Sequence, residues 1–598
     1  MWQMANVLYK RVDYKLENLL LDVETGKLGL PDLQRPFVWQ NSKVRDLFDS
    51  MMKGYPMGYL MLWDAPSSDS NGGRQIGLDS HPHDTPKQLI IDGQQRLTSL
   101  YAVMHGKPIL DSKFRERPIS IAFNPVQRKF EVTSAAHKRS AEWIPEICEV
   151  YKNASSSFSF ISKFISDLDA VRQRDGSPLT SEEQQLIAQN IQDLLNLKDY
   201  MIPTLCITDD ADEEAVADIF VRVNSGGKNL NENDFILTLI SVHDEKERKR
   251  IEKFCHDATV PVANGTSYNQ LFMPKPSHII RMVMAYGFKR ARLKYAYMLL
   301  RGKDMEKGVY RPELRVEMFD QLTKRLDEVL NLNNWHNFIN CILSSGYLSP
   351  SLIASENALV YSYVMYLIGK YNFGMDGISL RKEIAKWFYM ASVSSYYTGS
   401  YETDTQSDLN TIMGLRSADD FRKFMAARIS AVFTQDYFSI TLPEALATSA
   451  AISPAWNAYC AAQNILGTKV MFSTTPIRNL FSPGASGTRS AIEKHHLFPK
   501  GYLPSIGITD DKLRNQIANF TYIEWPENCA ASDNPPAAYW PTLTSGMTEA
   551  AVQQMCKENA LPDNWTSLSY SEFLEKRRKL MAEIVKKGYE SLCGQGAS

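Results

Sequence analysis

Short apolar runs bounded by turn residues alternate with stretches of helical spacing over residues 1–245. Gly58-Tyr59-Leu60-Met61-Leu62-Trp63 predicts a strand, and residues 64–87, rich in Ser, Asp, Gly, His and Pro, predict a loop. Leu89 to Asp92 predicts a second, buried strand, after which Gly93 turns the chain into a helix reaching residue 105. Ile119–Phe123 and Lys129–Thr133 flank Asn124-Pro125, a hairpin signal. Phe158–Val171 and Glu182–Leu197 have helical spacing, joined by the polar connector Arg172–Pro178. Met201–Thr208 predicts a strand. Glu213–Val223 predicts a helix that stops at Asn224-Ser225-Gly226-Gly227.

Residues 246–455 are helical in pattern almost throughout, for example over Leu322–Leu332, Ala358–Tyr371 and Leu380–Ser392. The Tyr and Met residues on these stretches read as core rather than as a cofactor box. Lys289-Arg290-Ala291-Arg292-Leu293-Lys294 reads as a basic patch on a helix, either a solvated face or a phosphate-tracking surface. The third stretch, 456–598, opens with a polar link (Ser473–Arg489), carries a histidine cluster and closes in a charged helix, Tyr570–Tyr589. This pattern predicts a multidomain α+β chain without internal repeats.

Composition narrows the class. A chain of 598 residues exceeds one core, and 44% hydrophobic with 22% charged residues describes a soluble globular protein. The net charge of -2 excludes polyanion binding by bulk charge, so any nucleic-acid contact rests on local basic patches. The first residues, Met1 to Asn6, lack a basic region followed by an apolar core, and no apolar run reaches the ~20 residues that span a bilayer. The eight cysteines are scattered without a C-x-x-C pair, which fits a cytoplasmic setting and argues against a zinc knuckle.

Two clusters carry chemistry. In Ile91-Asp92-Gly93-Gln94-Gln95-Arg96 a strand turns into a helix whose first N–H groups lack internal partners, a natural place for an anion. Arg96 would supply a forked cation, and Gln94 and Gln95 would read a polar ligand. An ordinary strand–turn–helix capped by Asp92 is the equal alternative. With no G-x-x-x-x-G-K-[ST] in the chain, nucleotide hydrolysis could not use a P-loop.

The second cluster is Glu493-Lys494-His495-His496-Leu497-Phe498-Pro499-Lys500, followed by Asn519 and Asn528. His495 and His496 on a strand point to opposite faces. Asn519–Glu524 predicts a second strand, and Pro526-Glu527-Asn528 a helix start. Two strands and a helix converging on His, Asn and Asn resemble the ββα-metal (HNH) nuclease site. A neutral imidazole can take a proton from water near pH 7, and a divalent cation would stabilise charge on a scissile phosphate. Two surface histidines beside a proline turn are the plain alternative.

Three further blocks carry a family resemblance: Leu33-Gln34-Arg35-Pro36-Phe37-Val38-Trp39 with Gly54-Tyr55-Pro56-Met57-Gly58, then Ile91–Leu100, then Phe220-Val221-Arg222-Val223-Asn224-Ser225-Gly226-Gly227. They resemble the N-terminal domain of GmrSD-like type IV, modification-dependent restriction enzymes, which has a ParB/sulfiredoxin-like fold. His495–Lys500, Ile517–Thr521 and Asn528–Tyr539 resemble the HNH domain of the same family, and defence proteins of the BrxU and SspE type are similar in architecture. The resemblance implies a nucleotide pocket built from Gln34, Arg35, Asp92, Gly93, Gln94, Gln95, Arg96, Arg222, Asn224, Gly226 and Gly227. It implies His496 as general base, Asn519 as the residue orienting it, and His495 and Asn528 as metal ligands. His495 stands where an acidic residue is common, which shifts preference from Mg²⁺ toward Mn²⁺, Co²⁺ or Ni²⁺. No Lys or Arg lies between Asn528 and Tyr539, so Lys500 or Arg514 would contact DNA phosphate.

The resulting expectation is a ParB-like sensor domain over 1–245, a helical middle over 246–455 and an HNH nuclease over 456–598. Together they would form an NTP-regulated endonuclease that needs Mg²⁺ or Mn²⁺ and restricts modified phage DNA, away from membranes, with a homodimer implied by the related proteins. A nucleotide-switched ParB-like DNA-binding protein with a degenerate nuclease, and an RNA-cleaving abortive-infection nuclease, are the alternatives. Which NTP is used stays open.

Overall fold

The computed structural model describes residues 8–31, 39–64, 73–74, 88–110, 116–208, 219, 245–261, 265–292, 302, 311–450, 452–481 and 492–594. The chain is a mixed α+β protein that divides into two compact units, Met1–Lys249 and Arg250–Ser598.

The first unit is built on a six-stranded mixed sheet. Its strands are β1 (Tyr9–Lys15), β2 (Leu28–Pro31), β3 (Leu60–Asp64), β4 (Gly73–Arg74), β5 (Gln88–Asp92) and, after two small hairpins, β10 (Met201–Ile207). The order is β1-β10-β3-β5-β2-β4, with β10–β3 and β5–β2 parallel and the other pairs antiparallel. Leu60 to Trp63 are all buried, as a strand with partners on both edges and helices nearby requires. Helices Leu16–Glu24, Asn41–Met52, Gln94–His105 and Ser181–Asn196 contribute Leu16, Leu20, Phe48, Leu97, Leu100, Ile191 and Leu194 to one core with Leu60, Leu62 and Ile90.

The intervening hairpins are β6 (Ile109–Leu110) with β7 (Glu116–Arg117), and β8 (Ile121–Asn124) with β9 (Lys129–Val132). The second forms where the sequence predicts it, because the Asn124 side-chain oxygen accepts from the N–H groups of Val126 and Gln127 and closes the turn. The helix Ser181–Asn196 starts on a capping box between Thr180 and Glu183. Within the expected 64–87 loop, β4 pairs with β2. The expected helix 213–223 and its stop lie outside the described residues, apart from residue 219.

Among its described residues the second unit is helical except for one hairpin, and it departs from expectation in three places. The helix expected over Leu322–Leu332 is two: Pro312–Val329 ends, and Leu332–Ser344 starts afresh because the Asn331 side chain caps the N–H of Asn334 at 3.1 Å. The helix Glu356–Leu367 ends before Tyr371 and passes into a π-helical turn, Ile368–Asn372. The described part of the basic patch, 289–292, lies past a helix end, since Pro276–Phe288 stops at Lys289, which is left-handed with φ 54°. Lys289 is also no solvated cation: burial pushes its ammonium down to about 8.

The hairpin is β11 (Ile492–His496) with β12 (Phe520–Glu524), followed directly by the helix Trp525–Ala531. The long helix Tyr570–Cys593 crosses Pro454–Leu466 closely, for a Cβ on Gly588 would sit 2.8 Å from the Cβ of Ala462. It also receives Tyr389 of the helix Gly377–Val393, whose hydroxyl donates to the Val585 carbonyl at 2.8 Å. Helices of the 246–455 and 456–598 stretches therefore pack together inside one compact unit.

Candidate functional site

His495 and His496 end β11, opposite Thr521 and Phe520 of β12. Strand alternation sends the two rings to different partners. His495 faces the helix Trp525–Ala531, where its Nδ1 lies 2.7 Å from Oδ1 of Asn528. It is only 7% exposed, and its Nε2 is buried without a hydrogen-bond partner among the described residues. Burial pushes this imidazole down to about 4, against the opposing effect of the Asn528 bond.

His496 is half-buried, edge-on to the Phe520 ring at 4.5 Å, with Nε2 3.1 Å from Oδ1 of Asn515. Burial lowers its pKa, the Asn515 bond raises it, and the cations Lys500 and Lys494 lower it further. The net shift is downward, so the ring is neutral at pH 7 and able to accept a proton.

Asn519 lies in the turn Ile517–Asn519 just before β12 and is fully buried. Its Oδ1 accepts from the Phe498 N–H at 2.8 Å, and its Nδ2 donates to the Phe498 carbonyl at 2.9 Å. Its own carbonyl accepts from Leu497 at 2.8 Å. These bonds hold the backbone immediately after His496; the side chain that meets the His496 ring is Asn515.

Three contributors are not among the expected site residues, and of these only Tyr539 lies in a block that carries the resemblance. Asn515 follows the short helix Asp511–Arg514 as its C-terminal flanking residue. Tyr539 donates its hydroxyl to the Leu497 carbonyl at 2.7 Å. Arg577 looks like one cation in a charged run, yet it is fully buried and donates to the carbonyls of Ala518 at 2.7 Å and Asn559 at 3.3 Å. The only available signal for it is the apolar spacing of the Tyr570–Cys593 helix, which turns Phe573, Arg577 and Met581 to the same buried side. Lys500 and Arg514, the expected phosphate contacts, both pair with Asp511, at 3.5 and 2.7 Å. Lys500 is half-exposed; Arg514 is mostly covered.

Asn528 Oδ1 accepts from His495 Nδ1–H, so this nitrogen would meet a cation only by giving up that bond; an imidazole nitrogen with an amide oxygen is a donor set that suits a hydrated divalent cation of the first transition row. No cluster of three or more His, Cys, Asp or Glu side chains is placed to hold an ion among the described residues. Two protein ligands would leave the remaining positions to water and substrate oxygen, as in an open catalytic site.

In the first unit, Gly93 is the left-handed residue between β5 and the helix Gln94–His105, with φ 97°. Asp92 is therefore not the helix cap; it receives Arg96 at 3.0 Å. The Arg96 fork spans the preceding turn, donating to the carbonyls of Met57 and Tyr59 at 2.7 Å each. Gly58, with φ 88°, passes under it: a Cβ there would stand 2.5 Å from Arg96 Nη1. Tyr200 donates to the Tyr55 carbonyl at 2.7 Å from the other side. Two separate sequence blocks, Gly54–Gly58 and Asp92–Arg96, are thus one structural unit clamped by a mostly buried guanidinium. Gln34, Arg35, Arg222, Asn224, Gly226 and Gly227 lie outside the described residues, so the other expected walls of a pocket have no described geometry.

Residues 16–241 match the family described as GmrSD restriction endonuclease, N-terminal domain. The match takes in the Arg96 clamp and every strand of the six-stranded sheet except β1, and it supports a GmrSD-like restriction family. The His495–Asn528 site lies outside the matched residues. The whole chain is also similar to an uncharacterized protein of Methanocaldococcus jannaschii, 20% identical over 634 residues that span 95% of this chain and 98% of that protein. No helix among the described residues is long and apolar enough to cross a membrane.

Proposed function

We propose that this GmrSD-like chain is a divalent-metal-dependent DNA endonuclease of the HNH type, restricting modified phage DNA in the cytoplasm under nucleotide control. The observation that carries the reading is the approach of His495 Nδ1 and Asn528 Oδ1 to 2.7 Å beside His496, on a strand–strand–helix unit. His495 and Asn528 would hold Mg²⁺ or Mn²⁺, which supplies charge stabilisation for the scissile phosphate and the leaving oxygen. His496, neutral at pH 7, takes the proton from the attacking water. Asn519 and Tyr539 fix the backbone at Leu497 and Phe498, so the base sits on a rigid strand end. Lys500 and Arg514, released from Asp511, would receive DNA phosphates.

The first unit is proposed as the nucleotide-responsive sensor. The Asp92–Arg96 turn supplies the helix start, with Arg96 shaping the turn that a phosphate would approach. The deciding test is nicking of plain and base-modified plasmid DNA with Mg²⁺ or Mn²⁺, each with and without NTP. Wild type should nick and His496→Ala should not; equal cutting by both would reject the assigned centre.

A further inference from the structure

We propose that Asn515 is the positioning residue for His496, holding the imidazole in the tautomer that carries its proton on Nε2 and leaves the Nδ1 lone pair for water. The proposal rests on the nuclease reading of the His495–Asn528 site for its purpose, while the hydrogen-bond geometry stands by itself.

The Asn515 amide is engaged at both ends. Its Oδ1 lies 3.1 Å from His496 Nε2, and its Nδ2 donates to the Asp511 carbonyl at 2.8 Å. Because Nδ2 is committed to a carbonyl, the end facing the histidine is the oxygen, a pure acceptor. A neutral imidazole meeting an acceptor at Nε2 must place its single proton there.

The amide is also braced. The Asn515 N–H donates to the same Asp511 carbonyl at 3.0 Å. The short helix before it is capped by Asp510, whose Oδ1 accepts from Leu513 at 2.9 Å. From the long C-terminal helix, Tyr570 donates to the Leu513 carbonyl at 2.8 Å. Phe520 closes the imidazole edge-on at 4.5 Å. A base whose ring is fixed by a braced neutral acceptor needs no reorientation when water arrives, and the neutral amide adds no buried charge beside the cation site.

The test uses full-length protein and three variants, Asn515→Asp, Asn515→Leu and His496→Ala. Asn515→Asp keeps an oxygen acceptor; Asn515→Leu keeps the approximate volume and removes it. Steady-state plasmid nicking should fall on the order of 10- to 100-fold in kcat for Asn515→Leu, with KM for DNA unchanged, and Asn515→Asp should restore most of the rate. In protein labelled with ¹⁵N-histidine, the His496 signals, assigned by their loss in His496→Ala, should report protonation at Nε2 in the wild type and a tautomer mixture in Asn515→Leu. Equal rates for Asn515→Leu and wild type, equal losses in both Asn515 variants, or an Nδ1-protonated His496 in the wild type would overturn the proposal. A wild type that cuts no nucleic acid but shows the Nε2 tautomer would overturn the nuclease reading and leave the Asn515 geometry standing.

Discussion

His495 Nδ1 lies 2.7 Å from Asn528 Oδ1, a bond that ties the end of β11 to the helix Trp525–Ala531. The two residues are 33 positions apart, and Nδ1, which donates to Oδ1, would reach a cation only by giving up that bond. Next to this pair His496 turns the other way, so the two imidazoles of one strand end meet different partners, Asn528 and Asn515.

His495→Asp should keep the ligand position and harden it. A carboxylate favours Mg²⁺ over imidazole's preferred softer ions, so the ratio of Mg²⁺- to Mn²⁺-supported nicking should rise several-fold. Metal titrations of the nicking rate measure this directly, and an unchanged ratio would separate His495 from the cation.

Asn519→Ala should destabilise the second unit by about 2–4 kcal/mol, because both backbone groups of Phe498 lose a buried partner. Denaturant unfolding gives the value. Activity should drop with it, since the strand end at His496 loses its anchor.

Arg577→Met should weaken folding by roughly 2–3 kcal/mol or more by orphaning the Ala518 and Asn559 carbonyls. Lys576→Ala, one position away and half-exposed in an i,i+4 pair with Glu572, should stay within about 0.5 kcal/mol. Comparable losses for the two would contradict the buried placement of Arg577.

Gly93→Ala should cost about 2 kcal/mol or more, because φ is 97° and the new methyl would run into Leu60. Arg96→Lys should also loosen the Met57–Tyr59 turn, as an ammonium lacks the planar fork that reaches both carbonyls. Hydrogen exchange at residues 54–60 and 93–100 should rise in both variants, and any nucleotide binding should weaken in step.

Acid should destabilise the metal-free protein through His495. Burial holds its folded pKa at about 4 against an ordinary 6.5, so between these values the unfolded chain binds more protons. Stability from this site is therefore complete above pH 6.5 and falls by about 3 kcal/mol as pH drops to 4. Urea unfolding across that range should show a shallower slope for His495→Gln.

Local pattern carried much of this protein. The 119–133 hairpin, the strand–turn–helix at Gly93 and the β11–β12–helix order around the paired histidines are legible because each is set by neighbours in sequence: apolar runs, a glycine that accepts positive φ, and an Asn that closes its own turn. What the sequence by itself determined is therefore a mixed α+β chain with two chemical clusters in stated elements.

Only the tertiary structure decided how those clusters are wired. The sequence shows Arg96 as a cation at a helix start, but packing turns it onto the Met57 and Tyr59 carbonyls. Arg577 sits in a charged run, and the crossing of helices buries it. Asn519 has the motif position, yet its amide serves Phe498 while Asn515 meets His496. The physical reason is the same in each case: a polar side chain goes to whichever buried donor or acceptor would otherwise stand unpaired, and residues far apart in sequence set which groups those are.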